Sequence, residues 1–466
     1  MTTNQTTKTK RNYEINMTEG PLLPKLVLFA LPLMLSSILQ LLYNAADVIV
    51  VGKFAGSTAL AAVSSTGSLI NLITNLFIGL SVGVNVAAAR FYGAKDEKSV
   101  HDTVHTAVLL SLICGVFVAC VGFFGCRTFL TWMDSPADVI DQATLYLKIY
   151  FLGVPVSMLY NFGASILRAI GDTRRPLVFL TVSGLVNVAL NLILDIGFGM
   201  GVAGVAIGTI ASQAVSAVMV TVCLLRAEGT PVHLKLRDLR LHKDMLIAIA
   251  RTGIPAGIQS SVFAISNVLI QSSINSFGSI AMAGNGAASN IEGFIYVAMN
   301  AFHHAAMTFS SQNLGARNFK RIRRVLIDCL ILVSVIGFVL GALALLAGRV
   351  LLSIYDSDPA VIDFGMIRLS VICLTYFTCG VMDVFCGQLR GIGYSVVPTV
   401  VSMMGACGFR ILWIYTAFRW DRTLRCLYIS YPVSWILTAF THFICYLIVI
   451  GKVRRRLEET KLSDRA

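Results

Sequence analysis

The sequence predicts an all-α integral membrane protein with twelve transmembrane helices arranged in two six-helix lobes. Three observations predict this fold: an apolar composition, a set of long apolar segments and an internal repeat. The chain has 466 residues, of which 56% are hydrophobic and 13% charged, with a mean hydropathy of +0.77. A soluble protein carries about 25% charged residues, so the composition excludes an ordinary water-soluble protein.

The apolar residues form continuous runs separated by charged or Pro- and Gly-rich breaks. A helix needs about 20 mostly apolar residues to cross a bilayer. Twelve runs meet this length, at residues 25–50, 59–89, 100–125, 138–170, 176–198, 202–225, 244–275, 280–310, 322–347, 359–390, 396–418 and 424–450. Their length and their lack of apolar–polar alternation indicate membrane-spanning helices.

Lysine and arginine are distributed unevenly between the loops on the two sides of the predicted membrane. With the N-terminus placed in the cytoplasm, the basic loop residues fall mainly on the cytoplasmic side. The outer loops hold six, namely Lys53, Arg127, Arg349, Arg419, Arg422 and Arg425. Cytoplasmic loops carry the excess of Lys and Arg, so both termini are predicted to be cytoplasmic. The net charge of +13 is then a topology signal, and we expect no nucleic-acid binding.

The second half of the chain repeats the first. The segment Arg168-Ala-Ile-Gly171 matches Arg390-Gly-Ile-Gly393, and the pair Gly93-Ala94 matches Gly315-Ala316. Each copy contains six spans, so both copies enter the membrane in the same sense. Repeats of this kind are related by an axis along the membrane normal, as in transporter halves that face each other across a central cavity.

The repeat divides the chain into five parts. They are an N-terminal cytoplasmic segment (1–24), a first lobe of helices 1–6 (25–225), a cytoplasmic linker (226–243), a second lobe of helices 7–12 (244–451) and a basic cytoplasmic tail (452–466).

Two spans of the first lobe carry carboxylates among apolar residues. Gln40, Asn44 and Asp47 lie at i, i+4 and i+7 on one helical face of span one. Asn187, Asn191 and Asp195 lie at i, i+4 and i+8 in span five. A charged side chain deep in a membrane costs at least about 2.5–3.5 kcal/mol. Both aspartates lie about 30 Å from the inner end of their helix, at 1.5 Å per residue.

Because the two carboxylates lie at the same depth, we expect them to meet and to hold a proton or a cation. The alternative is that each lies in the outer headgroup zone as an ordinary helix end. The repeat bears on this choice, since Asn187, Asn191 and Asp195 correspond to Phe409, Trp413 and Ala417, and Asp47 corresponds to Ile270. A structural role common to both lobes would appear twice, so the asymmetry favours an ion or proton site at Asp47, Asn187, Asn191 and Asp195.

Further polar residues are candidates for the lining of a substrate cavity. They are Gln40, Asn44, Thr209, Gln213, Glu292 and Asp383. For Thr209 and Gln213, hydrogen bonding between helices is an alternative role. Arg410 is expected either to pair with Asp383 or Glu292 or to extend to the membrane surface. Pro32 is expected to bend span one.

The sequence contains no Walker A pattern, and its eleven cysteines form no CxxC pair. We therefore expect no cofactor and no metal beyond Na⁺ at Asp47 and Asp195, with H⁺ as the alternative coupling ion.

The chain resembles the MATE (multidrug and toxic compound extrusion) family of transporters, and its DinF-like branch in particular. The resemblance covers essentially the whole chain and is carried by PLMLSSILQLLYNAADVIVVG (32–52), the repeated Gly-Ala pair, Arg168-Ala-Ile-Gly-Asp172 with Pro176, and Asn191 to Asp195. It implies two six-helix lobes around a cavity that opens alternately to each side. It also implies H⁺- or Na⁺-driven antiport of cationic, amphipathic compounds.

In the DinF-like branch, an Asp in span one and an Asn/Asp pair in span five form the ion or proton site. The matching positions here are Asp47, Asn191 and Asp195. Another branch uses acids in spans seven and ten. Span seven has no acid here, and span ten has Asp383.

The resemblance further implies a bacterial cytoplasmic membrane protein that acts on small organic substrates among membrane lipids. We expect it to be a monomer and not an enzyme. Two alternatives remain open at this stage. One is a lipid-linked sugar flippase of the same superfamily, and the more distant one is a membrane-embedded enzyme.

Overall fold

The computed structural model describes residues 14–55, 57–133 and 139–463, and these residues form helices and connecting turns without any β-strand. Residues 1–13 of the predicted N-terminal segment and residues 464–466 of the tail lie outside the described residues. The all-α prediction is confirmed.

Six long helices form the first lobe. They are α1 (Leu22–Val50), α2 (Ser57–Gly93), α3 (Glu97–Trp132), α4 (Ile140–Ala169), α5 (Arg174–Leu192) and α6 (Val202–Leu225). Two of them continue into a π-helical turn, α1 into Val51–Ala55 and α5 into Ile193–Gly197. Helix α1 runs through Pro32 without a break, and the carbonyl of Pro32 accepts a hydrogen bond from the Ser36 hydroxyl at 2.7 Å.

The second lobe contains the corresponding helices in shorter pieces. They are α7 (Lys243–Asn275), α8 (Ser279–Gly315), α9 (Phe319–Leu346), α10 (Gly348–Ser353), α11 (Pro359–Ile372), α12 (Phe377–Gly391), α13 (Val396–Ser402), α14 (Phe409–Tyr415), α15 (Ala417–Trp420) and α16 (Leu424–Ser463). A π-helical turn, Met403–Gly408, joins α13 to α14.

Among the described residues, ten helices are long and apolar enough to cross a membrane. The pair Pro359–Thr375 and Phe377–Gly391, bent by 49°, makes an eleventh span. Helix α8 is 37 residues long but carries many small and polar residues, and it packs against α9 and α12 of its own lobe and against α2 of the first. It occupies the place of the remaining predicted span.

The first described residues and the second half of α16 lie at one end of the helix bundle, which we call the terminal face; the opposite end is the distal face. The backbone carbonyl of Met17 accepts hydrogen bonds from Asn313, at the end of α8, and Arg321, at the start of α9. Tyr446, in the second half of α16, lies within electrostatic range of Arg323. The helices therefore alternate in direction as the twelve-span topology requires.

The repeat is visible in the backbone itself. Lys95 and Arg317 close equivalent turns with φ of 58° and 55°, and Gly171 and Gly393 end equivalent helices with φ of 92° and 90°. Few non-glycine residues adopt positive φ. The same two turns are therefore built once in each lobe, which gives the repeated Gly-Ala and Arg-x-Ile-Gly motifs a structural origin.

The two repeated glycines provide a matched test of this turn. A Cβ at Gly171 would lie 2.6 Å from the Ile15 carbonyl oxygen, whereas a Cβ at Gly393 would meet no atom within 4 Å. We expect Gly393→Ala to cost only backbone strain, about 1–2 kcal/mol, and Gly171→Ala to cost more. Thermal unfolding of the purified variants in detergent measures the difference; equal melting temperatures for the two variants would contradict it.

The lobes approach each other most closely where α2 crosses α7. Gly79 and Gly83 on α2 face Gly253 and Gly257 on α7, and a Cβ on any of the four would overlap backbone atoms of the other helix. Small residues let two membrane helices pack backbone to backbone. Both pairs lie in the half of the bundle nearer the terminal face, so the lobes are closed against each other there.

The N-terminal segment adds a second connection across the terminal face. Arg321 on α9 donates hydrogen bonds of 2.8–2.9 Å to the carbonyls of Met17, Glu19 and Gly20. Tyr92 on α2 donates to the Glu14 carboxylate at 3.0 Å. One short segment thus bridges the two lobes.

Candidate functional site

The polar faces of α1 and α5 meet inside the first lobe. Asn191 Nδ2 donates a hydrogen bond of 2.5 Å to Asp47 Oδ1. Asn187 and Thr209 lie near the Asp47 carboxylate, which is also within electrostatic range of Asp195. The Thr209 hydroxyl itself donates to the Val205 carbonyl at 2.9 Å. The structure therefore places the four residues that the sequence singled out as an ion or proton site near one another, with Thr209 of α6 close to them.

Asp195 is the most unusual member of this group. It is only 6% exposed, and neither of its carboxylate oxygens has a hydrogen-bond donor among the described residues. The amide oxygens of Asn187 and Asn191 are likewise buried without a donor. A buried, unpaired carboxylate is strongly unfavourable as an anion, and hard cations prefer oxygen ligands. The arrangement therefore suits a proton or a small cation.

Local backbone structure places Asp195 in this position. Helix α5 changes from α- to π-helical geometry at Ile193, and the helical structure ends after Gly197. Within this π-helical turn Asp195 is buried, whereas Ile193 and Ile196 are more than half exposed. Such turns insert a residue into a helix and are frequent at functional sites.

Two glycines of α6 leave room for the polar groups of α5, and the sequence reasoning missed them. A Cβ at Gly208 would overlap Asn191 Oδ1, and a Cβ at Gly204 would overlap Asp195 Oδ1. The signal was present as the motif Gly204-Val-Ala-Ile-Gly208, because glycines four residues apart allow helices to approach closely.

A cavity of about 230 Å³ lies between the first lobe and α8. Its polar lining includes Ser36, Ser37, Gln40, Asn161, Gln213 and Asn300. Of the residues predicted to line a cavity, Gln40 and Gln213 are here. Asn44 is an exposed residue of α1, and Thr209 lies near Asp47 instead.

Glu292 forms a buried ion pair in the second lobe. Arg368 Nε and Nη2 donate to its two carboxylate oxygens at 2.9 and 2.7 Å, and Arg368 Nη1 donates to Asn285 Oδ1 at 2.7 Å. Tyr428 donates to the same Asn285 oxygen at 3.1 Å. Every charged group here has a partner, which indicates a structural role for Glu292 and not contact with a substrate.

Glu292→Gln is therefore expected to destabilise the protein without changing its substrate range. Loss of one partner of a buried ion pair leaves the other charge unpaired and costs about 3–5 kcal/mol. Thermal unfolding in detergent measures the loss of stability. A variant as stable as the wild-type protein would show that the pair does not hold the second lobe together.

The other acid and arginine that the sequence singled out in the second lobe are separate from that pair. Asp383 is half-buried and lies near Tyr296. Arg410 contacts neither acid proposed as its partner: its Nε donates to Ser434 at 2.9 Å, and its guanidinium lies over Tyr431 and Trp435, 4.2 and 5.5 Å from the ring centroids. Arg410 is thus held by aromatic faces.

One cluster with metal-ligand side chains occurs among the described residues, at His101, His105 and Asp238. Both ring nitrogens of His105 are engaged, Nδ1 with the His101 carbonyl at 2.7 Å and Nε2 with the Lys235 backbone N–H at 3.0 Å. These contacts attach the linker to α3, so we interpret the cluster as a structural contact that holds the linker in place.

Comparisons with known proteins identify the same family of proteins over most of the chain. The sequence model of the MatE family matches residues 32–193 and again residues 255–416. The "Probable multidrug resistance protein YoeA" of Bacillus subtilis (strain 168) is 28% identical, with 82% of this chain and 84% of the relative covered. YpnP of the same organism, which carries the same description, is 27% identical, with 84% and 87% covered.

A solved structure described as the outward-facing conformation of a multidrug resistance MATE family transporter is 22% identical. It superposes with a TM-score of 0.88, covering 94% of this chain and 98% of that one. The fold is therefore the same, and the two family matches coincide with the two halves of the internal repeat.

Proposed function

This chain belongs to the MATE family of multi-pass membrane transporters, and from that premise we propose that it is an antiporter driven by H⁺ or Na⁺. Its curated relatives are named multidrug resistance and export proteins, so it is an efflux transporter of small organic compounds and not an enzyme. The proposal adds the energy source, the ion site and the mechanism. The substrates are cationic or amphipathic compounds.

The observation that carries the proposal is the pair of carboxylates in the first lobe. Asp47 accepts a hydrogen bond from Asn191. Asp195, four residues after Asn191, is buried with two unpaired oxygens. Two carboxylates in one buried site favour uptake of a proton or cation, because both cannot easily remain charged. An ion-coupled pump needs a site that fills from one side of the membrane and empties to the other.

The geometry also supports a mechanism. The distribution of Lys and Arg between the loops predicts that the terminal face is cytoplasmic. The contacts of α2 with α7, and those of the N-terminal segment, close the bundle at that face. The described state is then closed to the cytoplasm. Ion binding at Asp47 and Asp195 changes the packing of α1 against α5, and α1 borders the cavity through Ser36 and Gln40. The same movement therefore releases the substrate outward.

Transport by purified protein in lipid vesicles tests this proposal. Vesicles that contain either the cationic dye ethidium or the anionic dye dansylglycine are given a pH gradient or a Na⁺ gradient, and the movement of each dye is followed by fluorescence. We expect one of the two gradients to drive at least one of the dyes against its concentration gradient. If neither gradient moves either dye, or if empty vesicles and protein vesicles behave alike, the antiport proposal is wrong.

A further inference from the structure

The cavity between the lobes contains an arginine without a counter-ion. Arg168, in the last turn of α4, lines the cavity, and its buried Nε has no hydrogen-bond acceptor among the described residues. The cavity lining includes no Asp and no Glu. Arg168 is partly buried and faces this space without an acid beside it, so its guanidinium is available to bind an anion.

The rest of the lining adds donors around this cation. Ser37 on α1 and Asn300 on α8 face the same space, and His304 on α8 lies within electrostatic range of Arg168. Hydroxyl and amide groups bind oxyanions readily, and the planar guanidinium pairs with carboxylate or phosphate through two parallel hydrogen bonds. Both lobes contribute, so an anion bound here would contact each of them.

The three buried arginines of the second lobe each have a partner, although Arg390 Nε and Arg410 Nη2 also lack a hydrogen-bond acceptor among the described residues. Arg368 pairs with Glu292, Arg390 donates to Gln259 Oε1 at 2.8 Å, and Arg410 lies against Tyr431. None of these three lines the cavity. Arg168 differs from these three arginines because it lines the cavity.

We propose that the cavity binds the carboxylate or phosphate group of an amphipathic substrate and that Arg168 selects for that group. This inference rests on the proposed efflux function and narrows its substrate class to organic anions and zwitterions. A compound whose only charge is positive meets a like charge at Arg168 and no acid in the cavity. The anionic group pairs with Arg168, while the apolar part of the substrate contacts Leu33 and Leu180.

Equilibrium binding of a matched pair of probes tests the proposal. Dansylglycine carries a carboxylate, and dansylglycinamide is its neutral counterpart; the dansyl fluorescence of each is titrated with purified protein in detergent. We expect the wild-type protein to bind the acid at least about tenfold more tightly than the amide, a difference of about 1.4 kcal/mol. Equal affinities would overturn the proposal, whatever the behaviour of any variant.

Two arginine variants locate the effect. Arg168→Gln is expected to lose the preference for the acid, and Arg174→Gln, which removes an exposed arginine at the start of α5, is expected to keep it. Competition against dansylglycine by benzoate and by phenyl phosphate then shows which oxyanion binds more tightly. Displacement by either anion but not by benzamide supports the proposal, and equal displacement by benzamide contradicts it.

The binding assay contains no ion gradient, which separates this inference from the antiport proposal. Equal binding of acid and amide together with ion-driven efflux would overturn the anion preference alone. A clear anion preference without ion-driven efflux would leave the cavity assignment in place and remove the proposed energy source.

Discussion

Asp47→Asn is expected to reduce ion-driven efflux by at least about tenfold, which corresponds to a loss of about 1.4 kcal/mol or more. The substitution retains the size of the side chain and a hydrogen-bond acceptor for Asn191 but removes the charge that holds a proton or cation beside Asp195. Efflux from vesicles under an imposed gradient measures the effect. Asp47 does not line the cavity, so the variant is expected to keep substrate binding but to lose its dependence on the coupling ion.

Asp141→Asn is a suitable control for this variant. Asp141 lies in the same lobe but is exposed, and it pairs with Arg127 at 3.3 Å on the surface. An exposed pair contributes little, so this variant is expected to transport like the wild-type protein. Wild-type efflux by Asp47→Asn, or an equal loss in both variants, would show that the first-lobe site does not couple the ion.

Gly83→Ala is expected to reduce efflux by a comparable factor through a different step. The added methyl group would overlap the Ile249 carbonyl of α7, so α2 and α7 have to separate and the closure at the terminal face is weakened. Hydrogen–deuterium exchange measures this directly, and we expect faster exchange in the α7 segment 249–257. Efflux falls because a transporter that does not close to one side of the membrane cannot couple the ion gradient to substrate export.

Gly67→Ala provides the control on the same helix. A Cβ at Gly67 would meet no atom within 4 Å, so the substitution changes helix propensity by about 1 kcal/mol in favour of alanine and leaves the interface intact. We expect wild-type exchange and efflux for this variant. Unchanged exchange in α7 of Gly83→Ala would contradict the role of this glycine contact in closing the terminal face.

The sequence predicted the helical fold, the two lobes and the approach of the polar faces of α1 and α5, which the hydrogen bond from Asn191 to Asp47 joins. These predictions depend on signals that are local or repetitive: hydrophobic length, helical spacing of polar residues along α1 and α5, and a repeat that recurs in the backbone at Lys95 and Arg317. Equal depth in the membrane was enough to place the two acids at the same level of the bundle, because helices that cross the same bilayer differ little in their position along the membrane normal.

The partners of the second-lobe charges could not be predicted in the same way. Glu292 pairs with Arg368 and Arg410 lies on Tyr431, and both contacts depend on how α8, α11, α14 and α16 pack sideways. Lateral packing is not encoded in hydropathy or in residue spacing within one helix. The unpaired Nε of Arg168 was hidden for the same reason, since its position near a helix end made it look like a loop residue.

The most direct test of the account is whether a substrate displaces the coupling ion from the first-lobe site. Purified protein in weak buffer is mixed with a transported compound, and the release of protons is followed with a pH indicator while the release of ²²Na⁺ is measured in parallel. We expect release of one of these ions from the wild-type protein and none from Asp195→Asn, because binding of the two ligands is reciprocally coupled. Equal release from both proteins, or no release of either ion from the wild type, would contradict the assignment of Asp47 and Asp195 as the coupling site.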